Sequence, residues 1–125
     1  TDNTSLVLPG SETEVQPDIT VRQTGGEGRD GSRVVDGIIR GTPRLIVEIA
    51  HTSTTIDLGW KKDAYEKAGL PEYVVYRSLD RAVDWFTHDG SRFVPVTPRA
   101  DGAWESPLLA GLEFPHALLG PLASA

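Results

Sequence analysis

The 125-residue chain contains no cysteine and no methionine. Without cysteine there can be no disulfide framework and no thiolate zinc site. Without methionine, either an initiator residue was removed ahead of Thr1 or the sequence starts inside a longer protein. The second is the expectation here, with residues 1–125 as one domain forming the C-terminal part of that protein. Long apolar runs are missing too. No stretch nears the ~18 residues a bilayer-spanning helix needs, and no basic-then-apolar leader opens the sequence. A cytoplasmic protein is therefore expected. Positive charge is also in short supply. A net charge of −6 argues against coating nucleic acid by charge alone, but leaves room for an acidic, metal-dependent site that acts on it. A single domain of this length buries roughly two-thirds of its unfolded surface and needs no staple to fold.

The first stretch, Thr1 to Gln16, is polar apart from Leu6-Val7-Leu8, and Pro9-Gly10 breaks it as a turn does. Pro17-Asp18 leads into the β-branched run Ile19-Thr20-Val21, a strand entered through a proline. Residues 23–33 hold four glycines and almost nothing apolar, which predicts a flexible loop; the P-loop Lys-Ser/Thr pair and dinucleotide-fingerprint spacing are both absent. Leu45 to Ala50 is the most strand-like run, apolar on both faces as a central strand is. Residues 56–69 switch to helical period, with Trp60, Ala64 and Ala68 predicted to form the packing face, Gly69 the stop and Pro71 just beyond. Strands are expected at Glu72–Arg77, Arg81–Thr87 and Ser91–Thr97, with Asp89-Gly90 as a hairpin signal, and a short helix at His116–Leu119. The order of elements implies an α/β protein with a mixed sheet and at least one packed helix. Trp60, Trp85 and Trp104 are scattered and read as core, not as base-stacking platforms.

Glu48 is the anomaly. A carboxylate inside an apolar strand costs several kcal/mol unless it is paired or holds a metal. Strand alternation puts Glu48, Ile46 and Ala50 on one face. Asp18, at the mouth of a neighbouring strand, brings a second hard oxygen donor to the same sheet edge, as a Mg²⁺ site requires. On the helix, Asp57, Lys61 and Tyr65 recur every four residues as a polar stripe. From there Lys61 can extend toward the carboxylates and offset charge developing on a phosphate. His51 lies three residues beyond Glu48 and is placed beside the carboxylates; His88 and His116 read as turn residues. A structural account stands alongside. An ion pair with Arg22, Arg44 or a helix lysine accounts equally for Glu48, strand entry accounts for Asp18, and ordinary solvation accounts for Lys61.

Taken in order, Pro17-Asp18-Ile-Thr-Val, Gly41-Thr-Pro43-Arg-Leu-Ile-Val-Glu48-Ile, and Asp57, Lys61, Tyr65, Gly69 and Glu72-Tyr73 at their spacing resemble the Uma2 family. Arg81-Ala-Val-Asp-Trp-Phe, Asp89-Gly with Arg92-Phe93, and the closing Ser106-Pro-Leu-Leu-Ala-Gly-Leu continue the likeness, which spans about Gln16 to Leu119. That family is grouped with the PD-(D/E)xK restriction-endonuclease-like proteins. The resemblance implies a restriction-endonuclease-like core, a Mg²⁺- or Mn²⁺-dependent endonuclease acting on DNA, and a homodimer. It implies Asp18 as the metal-binding aspartate and Glu48 as the acidic residue of the ExK element. The lysine place in that element is Ala50 here, and the family's lysine from the following helix maps to Lys61. Lys61 is then expected within salt-bridge reach of Glu48, with Lys62 pointing to solvent. Arg44 and His51-Thr52 depart from the pattern, and the family's N-terminal helical region has no counterpart in this sequence. Those departures and the acidic charge leave a second class open: a catalytically inactive nuclease-fold module for binding or assembly.

Overall fold

The structure, a computed structural model, describes residues 4–26, 29–51, 58–107 and, for the backbone, 113–114. The elements run β1 (Leu6–Val7), β2 (Glu14–Val15), β3 (Ile19–Val21), β4 (Arg33–Val35), β5 (Ile38–Arg40), β6 (Leu45–Ala50), α1 (Trp60–Ala68), β7 (Glu72–Arg77), β8 (Ala82–His88), β9 (Phe93–Pro95), β10 (Trp104–Glu105) and β11 (Glu113–Phe114). Five strands form the main sheet in the order β3-β6-β7-β8-β9. Its pairs are antiparallel except β6 with β7, which run parallel. A parallel pair needs a crossover connection, and the segment carrying α1 supplies it. Gly69 ends the helix in the left-handed region at φ 81°, with its N–H on the Glu66 carbonyl and the Leu70 N–H on the Tyr65 carbonyl. Only glycine adopts that conformation without steric cost.

A second, four-stranded sheet has the order β2-β1-β5-β4. Together with α1 it packs on one face of the main sheet. Leu6, Leu8, Val15 and Ile39 meet Ile46, Ala50, Tyr65, Leu70, Tyr73, Val75 and Phe93 there. Each fully buried side chain of this size contributes about 1.5–3 kcal/mol. The opposite face gathers Leu45, Val74, Val83 and Trp85, with Trp104 stacked on Trp85 at 6.4 Å between ring centres. The mixed α+β class and the three main strands after the helix agree with the sequence reading. Among the described residues no helix is long and apolar enough to cross a membrane.

Three local expectations are corrected. The four-stranded sheet was not foreseen; its strands are two or three residues long and carry no readable period. Its β4–β5 hairpin turns on Asp36-Gly37, both at positive φ (53° and 78°), the backbone that a two-residue hairpin loop demands. The strand expected from Ser91 begins at Phe93, because Asp89 Oδ1 accepts the N–H groups of Ser91 and Arg92 and holds them in the turn. Trp60 is not core: it is 53% exposed, and the face that packs is turned toward Ala64, Tyr65 and Ala68. Residues 56–57 of the expected helix and the short helix at His116–Leu119 lie outside the described residues.

Candidate active site

The β3–β6 ladder pairs Ile19 with Val47, so one step further the antiparallel register sets Asp18 against Glu48. The buried ring of Pro17 fixes the entry into β3. The two acidic residues are tied crosswise. The Asp18 N–H donates to Glu48 Oε1 at 3.2 Å, and the Ile49 N–H donates to Asp18 Oδ2 at 2.7 Å. Alternation along β6 sends Glu48 to the same face as Ile46 and Ala50, where it is 1% exposed.

α1 closes over that face. Lys61 Nζ lies 3.2 Å from Glu48 Oε2, and the Tyr65 hydroxyl donates to the same oxygen at 3.1 Å. One turn separates the two donors, so a single helical stripe brings both to one carboxylate. The Tyr65 ring is fully buried and packs on Tyr73 at 4.9 Å, which fixes its hydroxyl. Burial pushes the Glu48 carboxyl above the usual carboxylate range, while the Lys61 charge, the Asp18 N–H and the Tyr65 hydroxyl pull it back. The Lys61 side chain is 19% exposed and Asp18 is half-buried, so the site meets solvent along these two residues.

The structure therefore brings together Asp18, Glu48, Lys61 and Tyr65. Asp57 lies outside the described residues. His51 is exposed at the end of β6, its Nδ1 3.2 Å from Ser78 Oγ, which also contacts the Ala50 carbonyl; it is tied to Ser78, not to the carboxylates. Arg22, one candidate neutraliser of Glu48, is engaged with Ser32 instead. Lys62 turns away from Glu48 but does not simply enter solvent: its Nζ sits 4.6 Å over the Phe86 ring. A second buried acid went unnoticed in the sequence. Glu72, on the opposite face of the sheet, accepts the Trp85 indole N–H at 2.9 Å and the Ser106 hydroxyl at 2.5 Å. The same signal marks it, a carboxylate in an apolar strand.

A divalent cation fits the donor chemistry of Asp18 and Glu48. Both offer hard oxygens, and Asp18 Oδ1 accepts no hydrogen bond among the described residues. No cluster of three or more acidic or histidine side chains suited to a metal occurs among the described residues. An ion held by one or two carboxylates with water and substrate oxygens making up the rest is characteristic of Mg²⁺.

No curated protein matches the chain. The Uma2 family, described as "Putative restriction endonuclease", matches residues 1–118. The mixed α+β fold is the one expected for a restriction-endonuclease-like core. Because the match runs through Asp18, Glu48 and Lys61 and covers nearly the whole sequence, the chain belongs to the Uma2 family.

Proposed function

We propose that this protein is a Mg²⁺- or Mn²⁺-dependent nuclease that hydrolyses DNA phosphodiester bonds at Asp18, Glu48 and Lys61. The observation that carries the reading is Glu48: a nearly inaccessible carboxylate, cross-tied to a second acid on the adjacent strand and met by an ammonium 3.2 Å away. A structural ion pair needs only the lysine; the Asp18 carboxylate adds an acid that a bare ion pair has no use for. Asp18 and Glu48 would hold the ion, which supplies neutralisation of the scissile phosphate and acidification of water. Tyr65 and the Asp18 N–H fix the Glu48 carboxylate in one orientation. Lys61 holds its charge at the solvent boundary, where it offsets negative charge developing on the phosphate oxygens.

The experiment is plasmid nicking with Mg²⁺ or Mn²⁺. Glu48→Ala should abolish cleavage, and cleavage at the wild-type rate in that variant would remove the assignment. One observation favours a second reading, a non-catalytic binding or assembly module: both Glu48 oxygens already have donors within the chain. That reading expects a stable fold, no cleavage with any divalent ion, and no calorimetric metal binding that depends on Asp18 and Glu48. We also propose a homodimer. Trp104 and its neighbours cover the sheet face opposite α1, so the support comes from β4, an edge strand whose Val34 and Val35 are 54% and 41% exposed.

A further inference from the structure

Beside the carboxylates, α1 presents a second surface. Trp60, Asp63, Ala64 and Lys67 recur at the spacing of one helix face. With Ser11 and Thr13 from the β1–β2 turn they line a groove of about 310 Å³. A cavity at the low end of ligand-site volumes admits one small planar group. Its aromatic wall is Trp60, left 53% exposed although most of its apolar neighbours on the helix are packed. Its polar rim holds the paired hydroxyls of Ser11 and Thr13, 2.8 Å apart, together with the Asp63 carboxylate and the Lys67 ammonium.

We propose that this groove takes the base of an unpaired nucleotide next to the scissile bond, stacked on Trp60. The choice of nucleic acid rests on the nuclease reading above. Three features favour a base over other occupants. Trp60 directly precedes Lys61 on α1 and lies about 100° around the helix from it, so the groove flanks the face that carries Lys61, and a strand whose phosphate lies at Lys61 can turn a neighbouring base into it. Asp63 opposes a bare phosphate in the groove but accepts the exocyclic amino group of a base. Lys67, one turn further along the same face, offers its charge to the backbone. Stacking of this kind tolerates any base sequence, because every base has a π-face.

The test uses the full chain in chelator, so that binding is read without cleavage. Tryptophan fluorescence is titrated with a single-stranded oligonucleotide, a fully paired duplex, and a duplex carrying one unpaired base. Quenching by the single strand and the bulged duplex, with much weaker quenching by the paired duplex, is expected. Trp60→Ala should weaken binding of the single strand, measured by anisotropy of a labelled oligonucleotide, about 5- to 100-fold, and Trp60→Phe should recover most of it. If the bulged duplex binds no better than the paired one, the base comes from a free strand; if it binds as the single strand does, an extruded base is also taken. Unchanged affinity in Trp60→Ala, with an unaltered urea midpoint, overturns the proposal. So does a change of oligomeric mass in that variant, which would assign the groove to a second copy of the chain. The cleavage result with Glu48→Ala is read separately: loss of cleavage there with unchanged binding in Trp60→Ala removes the groove and keeps the nuclease, and the reverse pattern does the opposite.

Discussion

Lys61→Ala strands Glu48. The variant removes the ammonium 3.2 Å from Oε2 and leaves a 1% exposed carboxylate with the Tyr65 hydroxyl and the Asp18 N–H. Breaking a fully buried pair costs about 3–5 kcal/mol. Here two hydrogen bonds remain and the lysine lies partly in solvent, so about 2–3 kcal/mol is expected, in line with the loss of one charge-assisted hydrogen bond. In a domain of this size that lowers Tm by roughly 8–11 °C. The penalty depends on pH, and its sign follows from Glu48. Burial already lifts its carboxyl above the ordinary 4.5, and removing the Lys61 charge lifts it further. Between 4.5 and the folded-state value the native protein holds a proton that the unfolded chain releases, so stability falls as pH rises through that window. The deficit of Lys61→Ala should therefore be largest near pH 8 and shrink as pH falls through the raised folded-state value toward 4.5, as protonation removes the stranded charge. Urea denaturation in chelator across that range, on wild type, Lys61→Ala, Glu48→Gln and the double variant, measures both the penalty and the coupling. Cleavage should be lost in Lys61→Ala at every pH. A deficit that does not shrink as pH falls from 8 toward 4.5, or a cycle with no coupling, would falsify the claim that Lys61 acts through Glu48.

Two further outcomes are expected. Asp30 accepts the Gln23 N–H, the Ser32 N–H and the Ser32 hydroxyl at 2.6–2.8 Å; burial pushes its carboxyl up, but these bonds together hold it below 3.8. Its contribution is present above 3.8 and lost as pH falls through the folded-state value, so Asp30→Asn should cost about 1–2 kcal/mol at pH 7 and progressively less as pH falls below 3.8 in urea melts; a cost that does not decline with pH would refute the account. Light scattering should give twice the 13.5 kDa chain mass, with Val34→Lys shifting it toward the monomer; a monomeric wild type at high concentration removes the β4 pairing.

Glu48 was legible because a charge in the middle of Leu-Ile-Val-Glu-Ile-Ala has no cheap place to go, and strand alternation then names the face it occupies. Asp18 became legible only once a neighbouring strand was inferred to bring it alongside. The helix was legible in extent near its C-terminal end, where Gly69 stops it, but not in orientation. Trp60 with Ala64 and Ala68 looks like a packing face, whereas Lys61 and Tyr65 look polar. In the fold the long stems and rings of Lys61 and Tyr65 run inward and only their tips are polar, both spent on Glu48. Counting a lysine and a tyrosine by their tips therefore rotated the helix the wrong way and hid the exposure of Trp60. The four-stranded sheet escaped for a different reason. Two-residue strands such as Leu6–Val7 are specified by what they pair with, not by a period of their own, and its local signals were two turns, Pro9-Gly10 and Asp36-Gly37.

Burial of a carboxylate does not by itself designate a site, and the main sheet carries its own comparison. Glu48 and Glu72 are both nearly inaccessible, and both sit on parallel neighbours in the sheet, β6 and β7. Glu72 meets neutral donors, the Trp85 indole and the Ser106 hydroxyl, inside a closed apolar face where the Trp85–Trp104 stack covers it. Those bonds fasten the segment carrying Ser106 to the sheet, a structural task that leaves no path for a substrate. Glu48 meets an ammonium at the solvent boundary and a second acid whose Oδ1 is not spent on any described residue. The difference lies in the partners and the opening, not in the depth. It also follows from topology: Glu48 sits where the edge strand β3 is only three residues long, so the sheet ends beside it, whereas Glu72 faces β8 across a full ladder. A short edge strand next to a central one is what lets a buried acid reach the surface on this fold.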